Sequence, residues 1–263
     1  MSYPYVMFDN QLVDAKTYVP EKGDVVLYEV IRAANGSFLF SGDHLERLQC
    51  SAQLAGLQMP LSVSAILVQM NELLHANKVQ NGNIRLEFYY RQGKAEHHAF
   101  FFIPHHYPSE AMYQTGIRTA LFHAQRTNPN AKIKQIAFTD EANRIIAEKQ
   151  VYEVILVHPD GYITEGSRSN FFVIKDGSVY TTPEADVLPG ITRKYVLRIC
   201  DELSIPLVEY RIPALQLAQF DAAFISGTSP KVLPVSQVDE FRFDPSNETL
   251  CRIMKRYDTI AGL

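Results

Sequence analysis

The chain has 263 residues, of which 46% are hydrophobic and 21% are charged, as in a globular protein that buries a sizeable core. This length favours about two domains. Because 29 Asp and Glu stand against 25 Lys and Arg, the chain lacks the basic field that nucleic-acid binding needs, and we expect no nucleic-acid partner. Its 15 Phe and 14 Tyr exclude a disordered chain.

Membrane and metal partners are not expected either. No apolar run approaches the roughly 18 residues of a membrane helix, and Met1–Asn10 lacks the pattern of a signal peptide. Cys50, Cys200 and Cys251 are far apart in stretches with helical spacing, which predicts buried free thiols in a reducing cytosol rather than a disulfide or a zinc site. We therefore predict a cytoplasmic protein.

Hydrophobic spacing predicts a small α/β domain over residues 1–110. The predicted elements are strands at Tyr5–Phe8, Val25–Arg32, Ile84–Tyr90 and Ala99–Ile103, and helices that begin near Asp43 and at Ser64. Asp43 and Glu46 resemble a capping box at the first of these helices. Adjacent histidines such as His97-His98 and His105-His106 point to opposite faces of a strand, so they predict no metal site.

A polar stretch, His105–Gly116, reads as the linker to a larger domain over residues 111–263. The predicted elements there are strands at Ile117–Ala124, Val154–His158, Phe171–Ile174, Val179–Thr181, Leu207–Arg211, Ala222–Ser226 and Val232–Val235, and helices at Ala137–Lys149, after Gly190, at Ala214–Phe220 and at Glu248–Ile260. The predicted fold class is therefore α+β, with strands flanked by helices in the larger domain.

Four short segments could carry chemistry. Glu165 is followed by small polar residues between two strands, and a Gly-bearing turn, Leu188–Arg193, opens a helix whose first N–H groups could bind a phosphate. Ser226–Ser229 places small hydrogen-bond donors directly after an apolar strand. Arg47 lies in Asp43–Leu48. Each segment alone also fits an ordinary loop, helix start or surface arginine.

In this order the segments resemble the fold-type IV pyridoxal-phosphate enzymes, which include branched-chain aminotransferases, D-amino-acid aminotransferases and aminodeoxychorismate lyases. The resemblance runs from Tyr28–Arg32 through Asp43–Leu48, Lys132, Tyr152–Leu156, Glu165–Phe172 and Leu188–Arg193 to Gly227–Val235, and so covers nearly the whole chain. It implies pyridoxal 5'-phosphate as cofactor, an amino acid and a 2-oxo acid as substrates, and a homodimer with its active site at the subunit interface.

The resemblance also assigns roles to residues of this chain. Glu165 faces the pyridine nitrogen, where a carboxylate keeps that nitrogen protonated and the ring electron-withdrawing. The phosphate ligands are Arg47, the N–H groups of Ile191 and Thr192, and the hydroxyl of Thr228. Tyr28 and Ser229 lie on the substrate side.

The cofactor's Schiff-base lysine lies, in this family, upstream of the Tyr-Glu strand and the glutamate motif. Lys132 and Lys134 both fit that place, and ungapped spacing from Tyr152 and Glu165 favours Lys132. Relatives often carry Asn shortly after the lysine, whereas this chain has Gln135.

The substrate is less determined than the cofactor. Many relatives have a Gly-rich stretch before the Tyr-Glu pair, and this chain has the shorter Pro20–Leu27 instead, so neither branched-chain nor D-amino-acid specificity carries over. Arg91, at the end of a strand, could bind a substrate carboxylate or be a surface residue. The resemblance implies transamination; the alternatives are an aminodeoxychorismate lyase-like enzyme that releases pyruvate and a non-catalytic member that binds the cofactor.

Overall fold

The computed structural model describes residues 3–105 and 107–263, so His106 of the second histidine pair lies outside the described residues. The chain forms two compact units. The first unit consists of Met1–His106 and Ala131–Lys134, and the second unit consists of Tyr107–Asn130 and Gln135–Leu263. The first unit therefore includes four residues that the predicted domains, 1–110 and 111–263, assign to the larger domain.

The first unit is built on an antiparallel sheet in the order β2-β1-β6-β5-β3-β4. Its described elements are β1 (Tyr5–Phe8), β2 (Gln11–Asp14), β3 (Val25–Ala34), β4 (Ser37–Phe38), α1 (Ser41–Leu54), α2 (Val63–Ala76), β5 (Gly82–Arg91) and β6 (Lys94–Ile103). Alternation along the two central strands explains the layering. Ile84, Leu86 and Phe88 of β5 pack in the core against the helices, whereas Arg85 and Glu87 lie on the opposite face of the sheet.

The starts of the two helices differ from each other. Ser62 caps α2, since its hydroxyl accepts a hydrogen bond from the N–H of Ala65. The predicted capping box at Asp43 is wrong: α1 begins at Ser41 after Phe40, whose backbone is left-handed with φ 52°, and Asp43 lies inside the first turn. An acidic residue in a first turn favours the helix dipole without capping it, which explains the misleading pattern.

The second unit contains a nine-stranded sheet in the order β12-β11-β10-β13-β14-β7-β8-β9, with β15 paired to β14. Its described strands are β7 (Ile117–His123), β8 (Glu153–Val157), β9 (Ile163–Gly166), β10 (Asn170–Lys175), β11 (Ser178–Thr181), β12 (Leu207–Glu209), β13 (Ala222–Gly227), β14 (Lys231–Val238) and β15 (Phe241–Arg242). Its described helices are α3 (Glu110–Thr115), α4 (Ile136–Lys149), α5 (Ile191–Glu202) and α6 (Glu248–Ala261), with 3₁₀ turns at Glu184–Asp186 and Ala214–Gln219.

Three further expectations, two about this unit and one about the cysteines of the whole chain, need correction. The predicted linker contains α3, which begins after the capping residue Ser109. Glu165 lies within strand β9, which has no alternation because all of its residues are buried. Of the three free cysteines only Cys200 is buried, and Cys50 and Cys251 are exposed. Among the described residues, no helix is both long and apolar enough to cross a membrane.

Candidate functional site

A buried ionic cluster in the first unit contains the predicted phosphate ligand Arg47. Glu29 projects from β3 toward α1, and its two carboxylate oxygens each accept a hydrogen bond of 2.8 Å, from Nε and Nη2 of Arg47. His44 Nδ1 lies 2.9 Å from the same carboxylate. Burial alone would raise the pKa of Glu29, but the Arg47 charge and the hydrogen bonds from His44 and Arg47 hold it well below its usual range. Arg47 is therefore fixed by a bidentate ion pair.

The two candidate lysines lie in a short extended segment beside β3. The N–H of Tyr28 donates to the carbonyl of Lys132 (3.1 Å), and the N–H of Lys134 donates to the carbonyl of Val26 (2.9 Å). The backbone N–H of Lys132 also donates a hydrogen bond to Ser51 Oγ (3.1 Å), which anchors the segment to α1. Because residues two apart in an extended segment share a face, both lysines lie on the side of the sheet that carries Tyr28.

The surroundings of the two amines differ. Lys134 Nζ lies 3.2 Å from Oε1 of the buried Glu87, which also bonds Arg85 and Tyr89. Lys132 Nζ lies 5.0 Å from the ring centroid of Tyr28, and the guanidinium of Arg85 lies 4.4 Å from that centroid. Tyr28, Lys132 and Arg85 are therefore grouped around one aromatic ring.

Arg91 is not part of this group. Its Nε pairs with Glu96 at 3.3 Å, its Nη2 donates to the carbonyl of Lys22, and 54% of its side chain is exposed. Glu87 is the residue of β5 directly opposite Tyr28, so Arg91 lies four residues, or about 13 Å, farther along the strand.

Glu165 is held on both carboxylate oxygens within the second unit. Oε2 accepts the N–H of Leu188 (3.0 Å) and is 3.5 Å from Asn170 Nδ2, while Oε1 accepts Nη1 of Arg126 at 3.1 Å. Asn170 Nδ2 also donates to the carbonyl of Leu188 at 2.9 Å, which connects the turn before α5 to the start of β10. The carboxylate is thus buried, oriented and paired with a cation.

The start of α5 lies on the same turn. Gly190 is its N-cap and provides no side-chain acceptor, so the first-turn N–H groups of Ile191 and Thr192 have no partner from a capping side chain. A Cβ at Gly190 would overlap the side-chain oxygen of Asn170, so a larger residue here would displace the Asn170 side chain. Arg193 fixes the turn from inside, donating to Glu209 (2.8 Å) and to the carbonyl of Thr182 (3.1 Å).

Thr228 and Ser229 lie in the tight connection from β13 to β14. Ser226, two residues before Thr228, is directly opposite Asn170 across β10 and β13, so their side chains lie on the same face of the sheet. Ser226 is 1% exposed, and no described residue provides its Oγ with a hydrogen-bond partner. A buried, unsatisfied hydroxyl at this place fits a site that binds a polar group.

Several residues of these clusters were not predicted from the sequence. The sequence contains an indication for Glu29, since this charged residue occupies an inward-facing position between Leu27 and Ile31 on an alternating strand. Arg85 and Glu87 lie within the predicted strand Ile84–Tyr90, but nothing in the sequence marks them as site residues. No motif or pattern in the sequence indicates a role for Arg126. No group of three or more potential metal ligands occurs in the described part of the chain.

Comparison with known proteins places these clusters in context. A family model described as amino-transferase class IV matches residues 26–238. The D-alanine aminotransferase of Bacillus licheniformis is 29% identical over 228 residues, which cover 82% of this chain and 80% of the relative.

Solved structures give the same indication at the level of the fold. The branched-chain amino acid aminotransferase of Escherichia coli has a TM-score of 0.87 at 21% identity and covers 99% of this chain and 95% of that one. A Legionella pneumophila protein whose description names 4-amino-4-deoxychorismate lyase has a TM-score of 0.81 at 18% identity. The match covers 93% of this chain and 97% of that one. A further branched-chain amino acid aminotransferase with the same fold was solved with pyridoxamine 5'-phosphate.

Proposed function

Because the chain belongs to the class IV aminotransferase family, we propose that Lys132 is the residue that binds its cofactor covalently and transfers the substrate proton. The predicted family, the α+β fold and the dependence on pyridoxal 5'-phosphate are confirmed by the family match, the relatives and the related structures. The protein is a pyridoxal-phosphate-dependent aminotransferase. The roles of individual residues, the identity of the substrates and the assembly are the subject of the proposal.

The residues of the second unit fit this cofactor. Ser226 has a buried hydroxyl with no partner among the described residues, and the Gly190 turn presents main-chain N–H groups beside Asn170. Glu165 is a buried carboxylate suited to a protonated ring nitrogen. When bound, pyridoxal phosphate stabilises the negative charge that develops at Cα of an attached amino acid.

Lys132 is favoured over Lys134 by its surroundings. An amine that attacks an aldehyde carbon needs a lone pair, which an ammonium group held by a carboxylate lacks. Lys134 Nζ is paired with Glu87 at 3.2 Å, which argues against Lys134. The family spacing from Tyr152 and Glu165 favours Lys132, whose Nζ lies 5.0 Å from the centroid of the Tyr28 ring. We propose that the Lys132 amine takes the proton from the substrate Cα and delivers it to C4′ of the cofactor.

Glu165 and the phosphate ligands hold the cofactor in this proposal. Glu165 keeps a proton on the ring nitrogen. Arg47, the N–H groups of Ile191 and Thr192, and the Thr228 hydroxyl bind the phosphate, as the family resemblance implies. The ion pair with Glu29 supports this role for Arg47, since it fixes the guanidinium before any ligand arrives.

The substrates are an amino acid and a 2-oxo acid, for which Tyr28 and Ser229 are the proposed contacts. Either Arg85 or Arg91 could bind a carboxylate. We favour Arg85, because it shares the Tyr28 ring with Lys132, whereas Arg91 is largely exposed.

The assembly and the compartment are further parts of the proposal. Relatives of fold type IV build the substrate pocket with a partner subunit, so we propose a homodimer, and the free cysteines fit a reducing cytoplasm. Sedimentation at sub-micromolar concentration tests the homodimer, because a fully active species near 30 kDa would contradict a shared site.

The lysine assignment carries the proposal and is tested by chemical trapping. Borohydride reduction of the protein with bound cofactor, followed by peptide mapping, should place the label on Lys132. Lys132→Ala should lose both the label and turnover. The matched variant Lys134→Ala should keep the label, and a label on Lys134 in the unmodified protein would contradict the assignment.

The lyase alternative is distinguished by its product. A panel of amino donors, each added alone to the loaded enzyme, should yield the matching 2-oxo acid and leave the amino group on the cofactor. Release of pyruvate from aminodeoxychorismate, without any amino-group transfer in the donor panel, would favour the lyase.

A further inference from the structure

Arg126 is an almost fully buried cation whose position neither the family motifs nor the hydrophobic pattern predicts. It follows β7, 9% of its side chain is exposed, and its Nη1 lies 3.1 Å from Oε1 of Glu165, whose side chain is 3% exposed. Charges this deeply buried are unfavourable unless they are paired. The two buried charges of the second unit therefore depend on each other.

The two oxygens of Glu165 have different partners. Oε2 is held by neutral amides, the N–H of Leu188 and the side chain of Asn170, whereas Oε1 is held by the guanidinium. A carboxylate offers about four acceptor positions, so the contact with Arg126 does not exclude a further donor. A ring N–H of the cofactor can share Glu165 with Arg126.

A carboxylate facing a pyridine nitrogen shares one proton with it, and the proton can lie on either group. Burial favours the arrangement without charges, in which the acid is protonated and the ring is neutral. A cation bonded to the carboxylate favours the other arrangement, since it stabilises the ionised acid. The guanidinium touches the carboxylate directly, so its attraction for that group outweighs its repulsion of a more distant ring proton.

We propose that Arg126 is a positioning residue that holds Glu165 ionised and so keeps the shared proton on the ring nitrogen of pyridoxal phosphate. This inference rests on the proposed role of Glu165 at that nitrogen. Without the arginine, the ring would withdraw less electron density from the substrate Cα, although the cofactor would still be bound.

The test measures the protonation of the ring nitrogen directly. The holoenzyme is prepared with pyridoxal phosphate labelled with ¹⁵N in the ring, at saturating cofactor, and the nitrogen resonance is recorded. We expect the wild-type signal at the pyridinium position. Arg126→Met and Arg126→Gln, of which the second keeps a hydrogen-bond donor without the charge, should both move it toward neutral pyridine.

Two controls separate charge from structure. Arg126→Lys keeps the positive charge and should leave the signal near its wild-type position. Arg198→Met removes an arginine of α5 whose side chain is 68% exposed, and it should leave the signal unchanged.

The outcomes distinguish this inference from the proposed function. A wild-type ring that is neutral, or a pyridinium signal retained in either neutral variant with cofactor bound, would overturn the role of Arg126 and leave the aminotransferase assignment intact. If the wild-type protein takes up no labelled cofactor, the proposed cofactor site itself is wrong, and the inference falls with it.

Discussion

Each unit of the molecule contains, besides Glu165, a buried glutamate whose pKa is shifted, and the two shifts have opposite directions. Glu29 of the first unit is 0% exposed and Glu153 of the second unit is 3% exposed. Burial favours the neutral form of both. The comparison therefore isolates the effect of the partners.

Glu29 is bonded by Arg47 and lies against His44, and its pKa is lowered although burial opposes this. Glu153 is bonded by the hydroxyls of Ser167 and Ser169 and by the N–H of Arg168. Burial raises its pKa, and these hydrogen bonds, together with the charge of Arg168, offset the effect only in part. A cation hydrogen-bonded to the carboxylate thus lowers the pKa of the buried Glu29, whereas the neutral donors bonded to Glu153 leave its pKa raised.

The difference matches what each glutamate positions. Glu29 fixes the arginine that we propose for the phosphate, a task that needs a charge. Glu153 ties down Ser167–Ser169, the loop between the strand of Glu165 and the strand of Asn170, a task that hydrogen bonds fulfil.

The largest effect is expected for Glu29→Gln. This change leaves the buried Arg47 without its counter-ion, so the free energy of unfolding should fall by about 3–5 kcal/mol in urea titrations. Glu148→Gln, which breaks an exposed ion pair on α4, is the matched control and should change stability by less than about 1 kcal/mol. Equal effects of the two variants would mean that the buried Arg47 does not depend on the charge of Glu29.

Arg47→Ala tests the same cluster from the cationic side. Loss of a charge-assisted contact should weaken pyridoxal phosphate binding by about 2–3 kcal/mol, or roughly 30- to 150-fold, in an equilibrium titration. Arg91→Ala removes an exposed arginine and should leave cofactor affinity unchanged. If Arg47→Ala binds the cofactor as tightly as the wild type, the guanidinium serves only Glu29.

Much of the framework could be predicted from the sequence because it depends on local pattern. The alternation along Ile84–Tyr90 and the helical spacing of Ser64–Asn77 correspond to β5 and α2. The strand β9 and the helix α3 were missed for a physical reason, since a fully buried strand of four residues and a helix of six residues have no readable period.

Residues of the candidate site could be predicted only where a motif is contiguous. Glu165 and Leu188–Arg193 lie in such motifs, and the structure joins them through the Leu188 N–H. Arg126 could not be predicted, because its contact with Glu165 spans 39 residues and depends on the tertiary fold. The spacing from Tyr152 and Glu165 favours Lys132 over Lys134, but the local pattern does not separate them, since both lie on one face of an extended segment.

The smallest effect, and the sharpest test of the comparison, is expected from Glu153→Gln. At pH 7 it should change the free energy of unfolding by no more than about 1 kcal/mol, because Gln has nearly the same shape and keeps an acceptor for the hydrogen bonds that Glu153 receives. The pH dependence of the stability difference between the wild type and this variant reports the direction in which the pKa of Glu153 is shifted. Because the pKa of Glu153 is raised, the folded wild type takes up its proton before the unfolded chain does as the pH falls toward the ordinary value of 4.5.

The wild type should therefore gain stability relative to Glu153→Gln between pH 7 and about 4.5, and lose that gain as the pH rises, with a slope of at most about 1.4 kcal/mol per pH unit for one proton. The sign is opposite for Glu29. Its pKa is lowered, so below 4.5 the unfolded chain binds the proton first, and the wild type should lose its advantage over Glu29→Gln as the pH falls. Urea titrations of the three proteins between pH 3 and 7 measure both differences, and slopes of the same sign would refute the contrast between cationic and neutral partners.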